Sequence, residues 1–303
     1  MANKAIILYN NAMRGSGNAT TYSGTGSVGF GVENSYDWRD FTLFRADVGV
    51  TTVDTLVAVD TDLASAAIWT RDRAESATIT LQYESAPSVF TTLITFTLAV
   101  GQQTMKLATF APVTVLTGRR IRWSISAGLT TLDIRQLCAG EYFENPIGQY
   151  VGQNPPNLFH GVVTTNVMAV NGSIIGRNYR RLERVASLDW QPVTPEFVRS
   201  TWEPFALHAA RHAFFYQWSP VSYPDELCFA SADNIDPPMN IAPPPKMKVS
   251  MPIKCLVGGI AVGLPPTPQV PPIFVCPALS SVSAVSEVLS PSSPFTISEV
   301  IKV

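Results

Sequence analysis

The sequence contains few charged residues and no dense run of one sign. Asp, Glu, Lys and Arg make up 15% of its 303 residues, whereas hydrophobic residues make up 46%. Globular proteins usually carry about a quarter charged residues, so uncharged polar groups must cover much of this surface. The formal net charge of -2 and the absence of a long basic run argue against nucleic-acid binding through phosphate neutralisation. Such a surface favours a protein that is partly covered by neighbouring subunits.

Cysteine and long apolar runs are also scarce. The four cysteines include no Cys-x-x-Cys pair, so a zinc ribbon and a redox motif are excluded and buried free thiols are expected. No stretch reaches the roughly 18 to 20 apolar residues that span a bilayer. The apolar run at residues 5–9 is too short for a secretory signal. We therefore expect a protein that has no membrane span and is made in a cytoplasm.

The motifs of nucleotide-binding proteins and common hydrolases are missing. Gly24, Gly26 and Gly29 have the spacing of a dinucleotide-binding turn, but no strand leads directly into them and no helix follows. The sequence has no Gly-x-Ser-x-Gly elbow and no Gly-Lys-Ser/Thr phosphate loop. We therefore expect no enzymatic activity and no cofactor.

Apolar and polar residues alternate along the first half of the chain. Residues 79–83, 94–98 and 121–125 show this pattern most clearly, and short Gly-, Pro- and Ser-containing turns separate such segments. Strict alternation buries one face of a strand. The pattern predicts a mainly β protein whose first domain is an antiparallel, jelly-roll-like β-sandwich over residues 30–145. Residues 1–29 are predicted to form an N-terminal strand and a Gly/Ser/Thr-rich loop.

A smaller β domain with one or two short helices is predicted for residues 146–262. Thr194 is a suitable N-cap, and Pro195 and Glu196 suit the first helical turn. A helix is therefore expected near residues 194–212, with a kink or a break at Pro204.

Proline also shapes the expectations for the end of the chain. Pro252 interrupts a predicted strand over residues 248–254 and favours an edge position for it. Residues 263–303 are predicted to form a Pro-rich C-terminal arm. This arm either adds a strand to a neighbouring subunit or stays disordered.

Histidine and tryptophan provide candidate binding residues. His208 and His212 have the i, i+4 spacing of a helical metal site, but Ala209 stands where a zinc protease carries its catalytic Glu. No third ligand is apparent, so a structural role is favoured. Trp38 and Trp69, expected in or near loops of the sandwich, are candidates for stacking on a sugar ring. Core or interface packing is the more frequent role of tryptophan.

Clusters of charged residues also have both a structural and a binding interpretation. The densest basic segment contains Arg177, Arg180, Arg181 and Arg184, which favours a solvated strand face or an inter-subunit contact over a nucleic-acid site. Carboxylate pairs such as Asp60 and Asp62, or Asp37 and Asp40, could flank a sugar or bind calcium, although exposed loop acids are the simpler interpretation.

The order of features resembles a group of bacteriophage tail proteins. Residues 8–11, Leu-Tyr-Asn-Asn, match the end of a first strand, and residues 134–142 match a closing strand with a glycine step. Residues 213–220, Ala-Phe-Phe-Tyr-Gln-Trp-Ser-Pro, are similar to a strand of the second domain. In this group a discoidin-like (galactose-binding-like) sandwich precedes a distal-tail-type β domain, and the resemblance covers residues 5–260.

The resemblance implies a virion structural protein of a phage tail tip or baseplate. Such a subunit would form a homo-oligomeric ring, trimeric or hexameric, contact other tail proteins, and be made in the host bacterial cytoplasm. Its sandwich would contact a host-surface glycan or another protein. Two alternatives stay open: a carbohydrate-binding module that uses loop aromatics and acids, and a metal-dependent hydrolase that uses His208 and His212.

Overall fold

Antiparallel strands form most of the structure. The computed structural model describes residues 4–24, 29–101, 103–148, 161–170, 173–243 and 245–257. Its strands are β1 Ile6–Leu8, β2 Ala19–Tyr22, β3 Phe44–Ala46, β4 Val50–Leu56, β5 Thr61–Thr70, β6 Ala77–Ala86, β7 Val89–Leu98, β8 Thr104–Val115, β9 Arg120–Ser126, β10 Leu132–Gly140, β11 Phe143–Glu144, β12 Gly161–Met168, β13 Ile174–Glu183, β14 Val185–Val193, β15 Phe214–Gln217, β16 Leu227–Ala232, β17 Met239–Ala242 and β18 Lys246–Val257. The prediction of a mainly β protein is confirmed.

The first two sheets form the predicted sandwich. Sheet I has the order β2-β4-β9-β6-β7, and sheet II has the order β3-β10-β5-β8. Apolar residues of both sheets meet between them, because alternation directs every second side chain of a strand to the same face. The largest of the fully buried side chains in this core belong to Trp123, Phe44 and Leu63.

Sheet III is built from both ends of the described chain. Its order is β11-β1-β15-β16-β18-β14, and β17 also pairs with β18. The N-terminal strand β1 therefore lies between β11 and β15, and β15 follows it by more than 200 residues. The predicted boundaries between residues 29 and 30, 145 and 146, and 262 and 263 stay a prediction.

A helical segment covers one face of sheet III. It consists of α1 (Pro195–Phe197), a π-helical turn (Val198–Trp202) and α2 (Glu203–Ala209). Thr194 caps it as predicted, since its hydroxyl oxygen accepts a hydrogen bond of 3.2 Å from the Phe197 amide. The π turn lies directly before α2, in which Pro204 is an early residue, where a missing amide hydrogen costs little. Trp202 and Phe205 fill the core between this segment and the sheet.

The other face of sheet III packs against sheet II. Ala67 and Trp69 of β5 contact a cluster that includes Phe215 and Phe229 of sheet III. Their neighbours Ala66 and Ile68 point into the sandwich core. The middle of β5 is thus buried on both faces, which explains why its sequence does not alternate.

The expectation that Pro252 marks an edge strand is wrong. Strand β18 pairs with β14 on one side and with β16 on the other. The carbonyl of Pro252 accepts a hydrogen bond of 3.0 Å from the amide of Asp233, one residue beyond the end of β16. The polar groups of Pro252 therefore face the side on which β16 ends, so its missing N–H removes no bond from the ladder with β14.

Strands β12 and β13 form a two-stranded ribbon. Within the described part of the chain this ribbon pairs with no other strand. The predicted C-terminal arm, residues 263–303, lies outside the described residues. None of the described helices is both long and apolar enough to cross a bilayer.

Candidate functional site

The loop before β3 is fixed by one carboxylate. Asp37 accepts hydrogen bonds from the Arg39 amide at 2.9 Å and from the Thr42 hydroxyl at 2.8 Å. The side-chain amide of Gln136, on β10, donates to Asp37 at 3.2 Å and to the Arg39 carbonyl at 2.9 Å. The loop is therefore attached to sheet II at a defined position.

Trp38 attaches the same loop to sheet III. Its ring stacks on Phe229 at a centroid distance of 6.2 Å and meets the edge of His208 at 5.3 Å. Its φ of 65° is rare for a bulky residue and costs of the order of 1 to 2 kcal/mol. Backbone strain of this kind persists only where the surrounding contacts hold it in place.

A cleft of about 860 Å³ opens beside this loop. Three parts of the fold surround it: the loop itself, the end of α2 with the residues after it, and strands β16 and β18. Its volume lies in the range of small-molecule sites, roughly 300 to 1,000 Å³. The cleft is lined, among others, by Glu33, Asp37, Asp40 and Phe41 on the loop, Arg14 near it, Arg211 and His212 after the helix, and Arg184 and Lys254 at the sheet.

Cations outnumber acids around the cleft. Arg14, Arg39, Arg184, Arg211 and Lys254 line it, against Glu33, Asp37 and Asp40. Some of these groups have partners already. The carboxylate of Asp37 holds the loop, and the ammonium of Lys254 contacts Asp233 at 2.8 Å.

Arg184 is the buried member of this set. The residue is 9% exposed, and its Nη1 has no hydrogen-bond partner among the described residues. Burial lowers the pKa of this guanidinium from its ordinary value, while the nearby thiols of Cys228 and Cys255 oppose the shift. A buried charge without a partner is costly, so this side chain is suited to receive an anion.

Phe41 supplies an aromatic surface to the same cleft. The residue is 76% exposed, and the guanidinium of Arg39 lies 5.9 Å from the centroid of its ring. A large exposed aromatic side chain beside a polar cleft is a common feature of ligand sites.

His208 and His212 do not form a metal site with other described residues. Their ring centroids are 5.1 Å apart, and no group of three potential ligands occurs in the part of the chain that is described. The Nε2 atom of His208 lies 3.1 Å from the carbonyl oxygen of Ala213. Burial lowers its pKa to about 4, so the ring is neutral at pH 7 and donates this hydrogen bond.

Trp38 and Trp69 are not placed where a sugar could stack on them. They are 5% and 1% exposed, respectively. Phe229 packs against both rings, and the guanidinium of Arg135 lies 4.7 Å from the centroid of Trp69. Trp69 is the penultimate residue of β5, close to the loop that follows, and both side chains pack in the contact between sheets II and III.

Arg177, Arg180 and Arg181 lie on β13 of the ribbon. The backbone of Arg177 is opposite Asn166, and that of Arg181 is opposite Val163. Their side chains are outside the described residues, so the proposed inter-subunit contact stays a prediction.

Sequence reasoning missed Phe41 and Arg211 as site residues. It assigned Arg184 to a solvated strand face or an inter-subunit contact, and the solvated position is wrong because Arg184 is buried. For Arg184 a signal was present, because Ala186, Leu188 and Trp190 follow it with a period of two. That pattern places Arg184 on the buried face of the strand, where an arginine is unusual. For Phe41 and Arg211 no local pattern distinguishes them from ordinary exposed residues.

No family model and no curated protein matches the chain. Several of the solved structures that match are carbohydrate-binding modules. Chitosan-binding module 1 of a chitosanase/glucanase from Paenibacillus sp. IK-5 is 16% identical, with a TM-score of 0.35, over 44% of this chain and 99% of the module. CBM32-1 of a family 31 glycoside hydrolase from Clostridium perfringens is 11% identical, with a TM-score of 0.35, over 44% of this chain and 99% of the module.

An enzyme is also among the matches. The GH29 fucosidase from Ruminococcus gnavus, in complex with fucose, is 12% identical with a TM-score of 0.37. The match covers 44% of this chain and only 27% of the fucosidase.

Proposed function

We propose that the chain is a non-catalytic recognition protein that binds a saccharide in the cleft between the loop before β3 and sheet III. The observation that carries this proposal is the combination, in one cleft of about 860 Å³, of an exposed aromatic ring with several polar groups. Sugars present both an apolar C–H face and a set of hydroxyl groups. A site for them therefore needs both kinds of surface.

Each kind of group has a role in such a complex. Phe41 offers a ring face to the apolar side of the sugar. Glu33 and Asp40 accept hydrogen bonds from hydroxyl groups, and the guanidinium of Arg211 donates them. Asp37 holds the loop in place, so the site is formed before the ligand arrives.

A glycan array followed by titration calorimetry tests this function. We expect the protein to select a defined set of glycans and Phe41→Ala to weaken binding at least fivefold without unfolding the protein. Tyr223→Ala is the matched control, since Tyr223 is also an exposed aromatic residue but does not line the cleft. An array without any bound glycan, or equal loss of binding in both variants, contradicts the proposal.

A subunit of a homo-oligomeric phage tail ring is the second candidate function. The ribbon of β12 and β13 favours it, because an isolated two-stranded hairpin is marginally stable in water and gains from pairing with a neighbour. The low content of charged residues agrees with a surface that is covered in an assembly. In this proposal the protein is part of a virion tail tip and contacts other tail proteins, and a host-surface glycan is the ligand of the cleft.

Mass photometry of the purified protein tests this candidate. Particles of three or six subunits, which Arg180→Glu with Arg181→Glu converts into monomers, support a ring held through the ribbon. A monomer at every concentration argues against it and leaves the saccharide proposal unaffected.

A further inference from the structure

No acid forms an ion pair with Arg184 among the described residues. Arg184 directly precedes β14, and its carbonyl accepts a hydrogen bond of 2.8 Å from the amide of Cys255. The groups that act on its charge are the thiols of Cys228 and Cys255. The described ion pairs do not include Arg184, and its Nη1 atom is buried without a partner among the described residues.

Such a guanidinium is normally compensated. Removing an arginine from water costs several kcal/mol, and native proteins offset this cost with a carboxylate or with several hydrogen bonds. Here the cleft is the space into which a compensating group can enter, because Arg184 is one of the residues that line it.

The remaining charges of the cleft agree with an anionic ligand. Arg211 is exposed and lines the cleft at the end of the helical segment. Of the three acids that line the cleft, Asp37 is engaged by the Arg39 amide, Thr42 and Gln136. Glu33 and Asp40 remain, and five cations line the cleft against these three acids. A guanidinium binds a carboxylate through two parallel hydrogen bonds, so a planar carboxylate suits it better than a neutral hydroxyl group does.

We infer that the saccharide bound in this cleft carries a carboxylate group and that Arg184 binds that group. The inference rests on the proposed function and makes it more specific. A uronic acid and a sialic acid are two common sugar types that supply a carboxylate, and the experiment separates them.

The experiment compares acidic probes with their neutral counterparts. Trigalacturonic acid is paired with its methyl ester, and 3′-sialyllactose with lactose, each titrated into the full chain at low ionic strength. We expect one acidic probe to bind at least tenfold more tightly than its neutral counterpart. Arg184→Met, which removes the charge and keeps much of the volume, should abolish this preference. Arg199→Met is the matched control, because Arg199 is exposed on the π turn and does not line the cleft.

Thermal unfolding provides an independent readout. Without ligand, Arg184→Met should unfold at the same temperature as the parent protein or higher, because the substitution removes an uncompensated buried charge. The acidic probe should raise the unfolding temperature of the parent and of Arg199→Met but not that of Arg184→Met. A lower unfolding temperature of Arg184→Met without ligand would show that Arg184 is paired within the protein and would overturn the inference.

The outcomes distinguish this inference from the proposed function. Equal binding of acidic and neutral probes, or a preference that survives in Arg184→Met, overturns the carboxylate inference and leaves saccharide binding intact. Binding of the neutral probes alone also overturns the carboxylate inference and leaves saccharide binding intact. If none of the four probes binds and the glycan array is also empty, both the inference and the proposed function fail.

Discussion

The indole ring of Trp38 stacks on the phenyl ring of Phe229, with their planes 15° apart. Trp38 belongs to the loop before β3 of the sandwich, whereas Phe229 belongs to β16 of sheet III. Both residues line the cleft. The shape of the candidate site therefore depends on a contact between two separate β structures and not on either of them alone.

Replacing Trp38 should destabilise the protein far more than replacing its exposed neighbour. Trp38→Ala is expected to lower the free energy of unfolding by about 3 kcal/mol or more, since a buried tryptophan leaves a large cavity. Phe41→Ala should change it by less than about 0.5 kcal/mol. Because Trp38 has a left-handed φ, Trp38→Gly should be more stable than Trp38→Ala by about 1 kcal/mol. Urea denaturation measures the stabilities of these variants. If Trp38→Ala were as stable as Trp38→Gly, the backbone at position 38 would not be strained.

The buried imidazole of His208 should make stability depend on pH. Burial lowers its pKa from 6.5 to about 4, so between these values the unfolded chain binds more protons than the folded one. The free energy of unfolding should therefore fall as the pH drops from 6.5 to 4. His208→Gln removes this titration and keeps a donor for the Ala213 carbonyl, so its pH dependence in that window should be shallower.

Denaturation with urea at several pH values measures the difference between the parent and this variant. His212→Gln is the control, and a smaller change is expected because His212 is less buried. If the free energies of unfolding of the parent and of His208→Gln changed in parallel with pH, His208 would not contribute to the pH dependence of stability.

Gly140 should not tolerate a side chain. A methyl group at this position would overlap the backbone carbonyl of Asn10, which passes close to the end of β10. We expect Gly140→Ala to cost about 1 to 3 kcal/mol through overpacking. Gly176→Ala is the control, because the nearest side-chain atom there, on Val167, is 4.0 Å from the added carbon. Equal stabilities of the two variants in thermal unfolding would be incompatible with the close approach at Gly140.

The ion pair between Arg122 and Asp54 should contribute measurably to the sandwich. Two hydrogen bonds of 2.7 Å join the side chains, and the guanidinium lies 3.7 Å from the centroid of Phe90. A double-mutant cycle with Arg122→Met and Asp54→Asn is expected to give a coupling energy of about 1 kcal/mol. The single-contact, half-exposed pair of Lys254 and Asp233 should couple much more weakly. Similar coupling in both cycles would argue that the paired geometry of Arg122 adds nothing.

The local features of the chain were the predictable ones. Alternation identified β6, β7 and β9, and Thr194 with Pro195 identified the start of the helical segment, because both signals arise from residues close in sequence. The position of Trp69 was not predictable in this way. Its strand is buried on both faces, which removes the alternation that reveals a strand.

The expectation for Pro252 failed for a related reason. A proline disfavours a central strand only where its missing N–H would face a paired neighbour. Whether the N–H position of Pro252 faces a paired neighbour depends on where β16 ends beside β18. The register between these two strands cannot be read from the sequence.

The sequence by itself determined that this protein is made of antiparallel strands with a capped helical segment, because propensity and periodicity act over a few residues. Only the tertiary structure decided that β1 joins sheet III and that Trp38 and Trp69 are buried between two sheets. It also decided that Arg184 faces a cleft shared with the loop before β3, which lies some 150 residues earlier in the chain. These arrangements depend on contacts between distant segments, whose energy is set by shape and burial in three dimensions and leaves no periodic pattern in the chain.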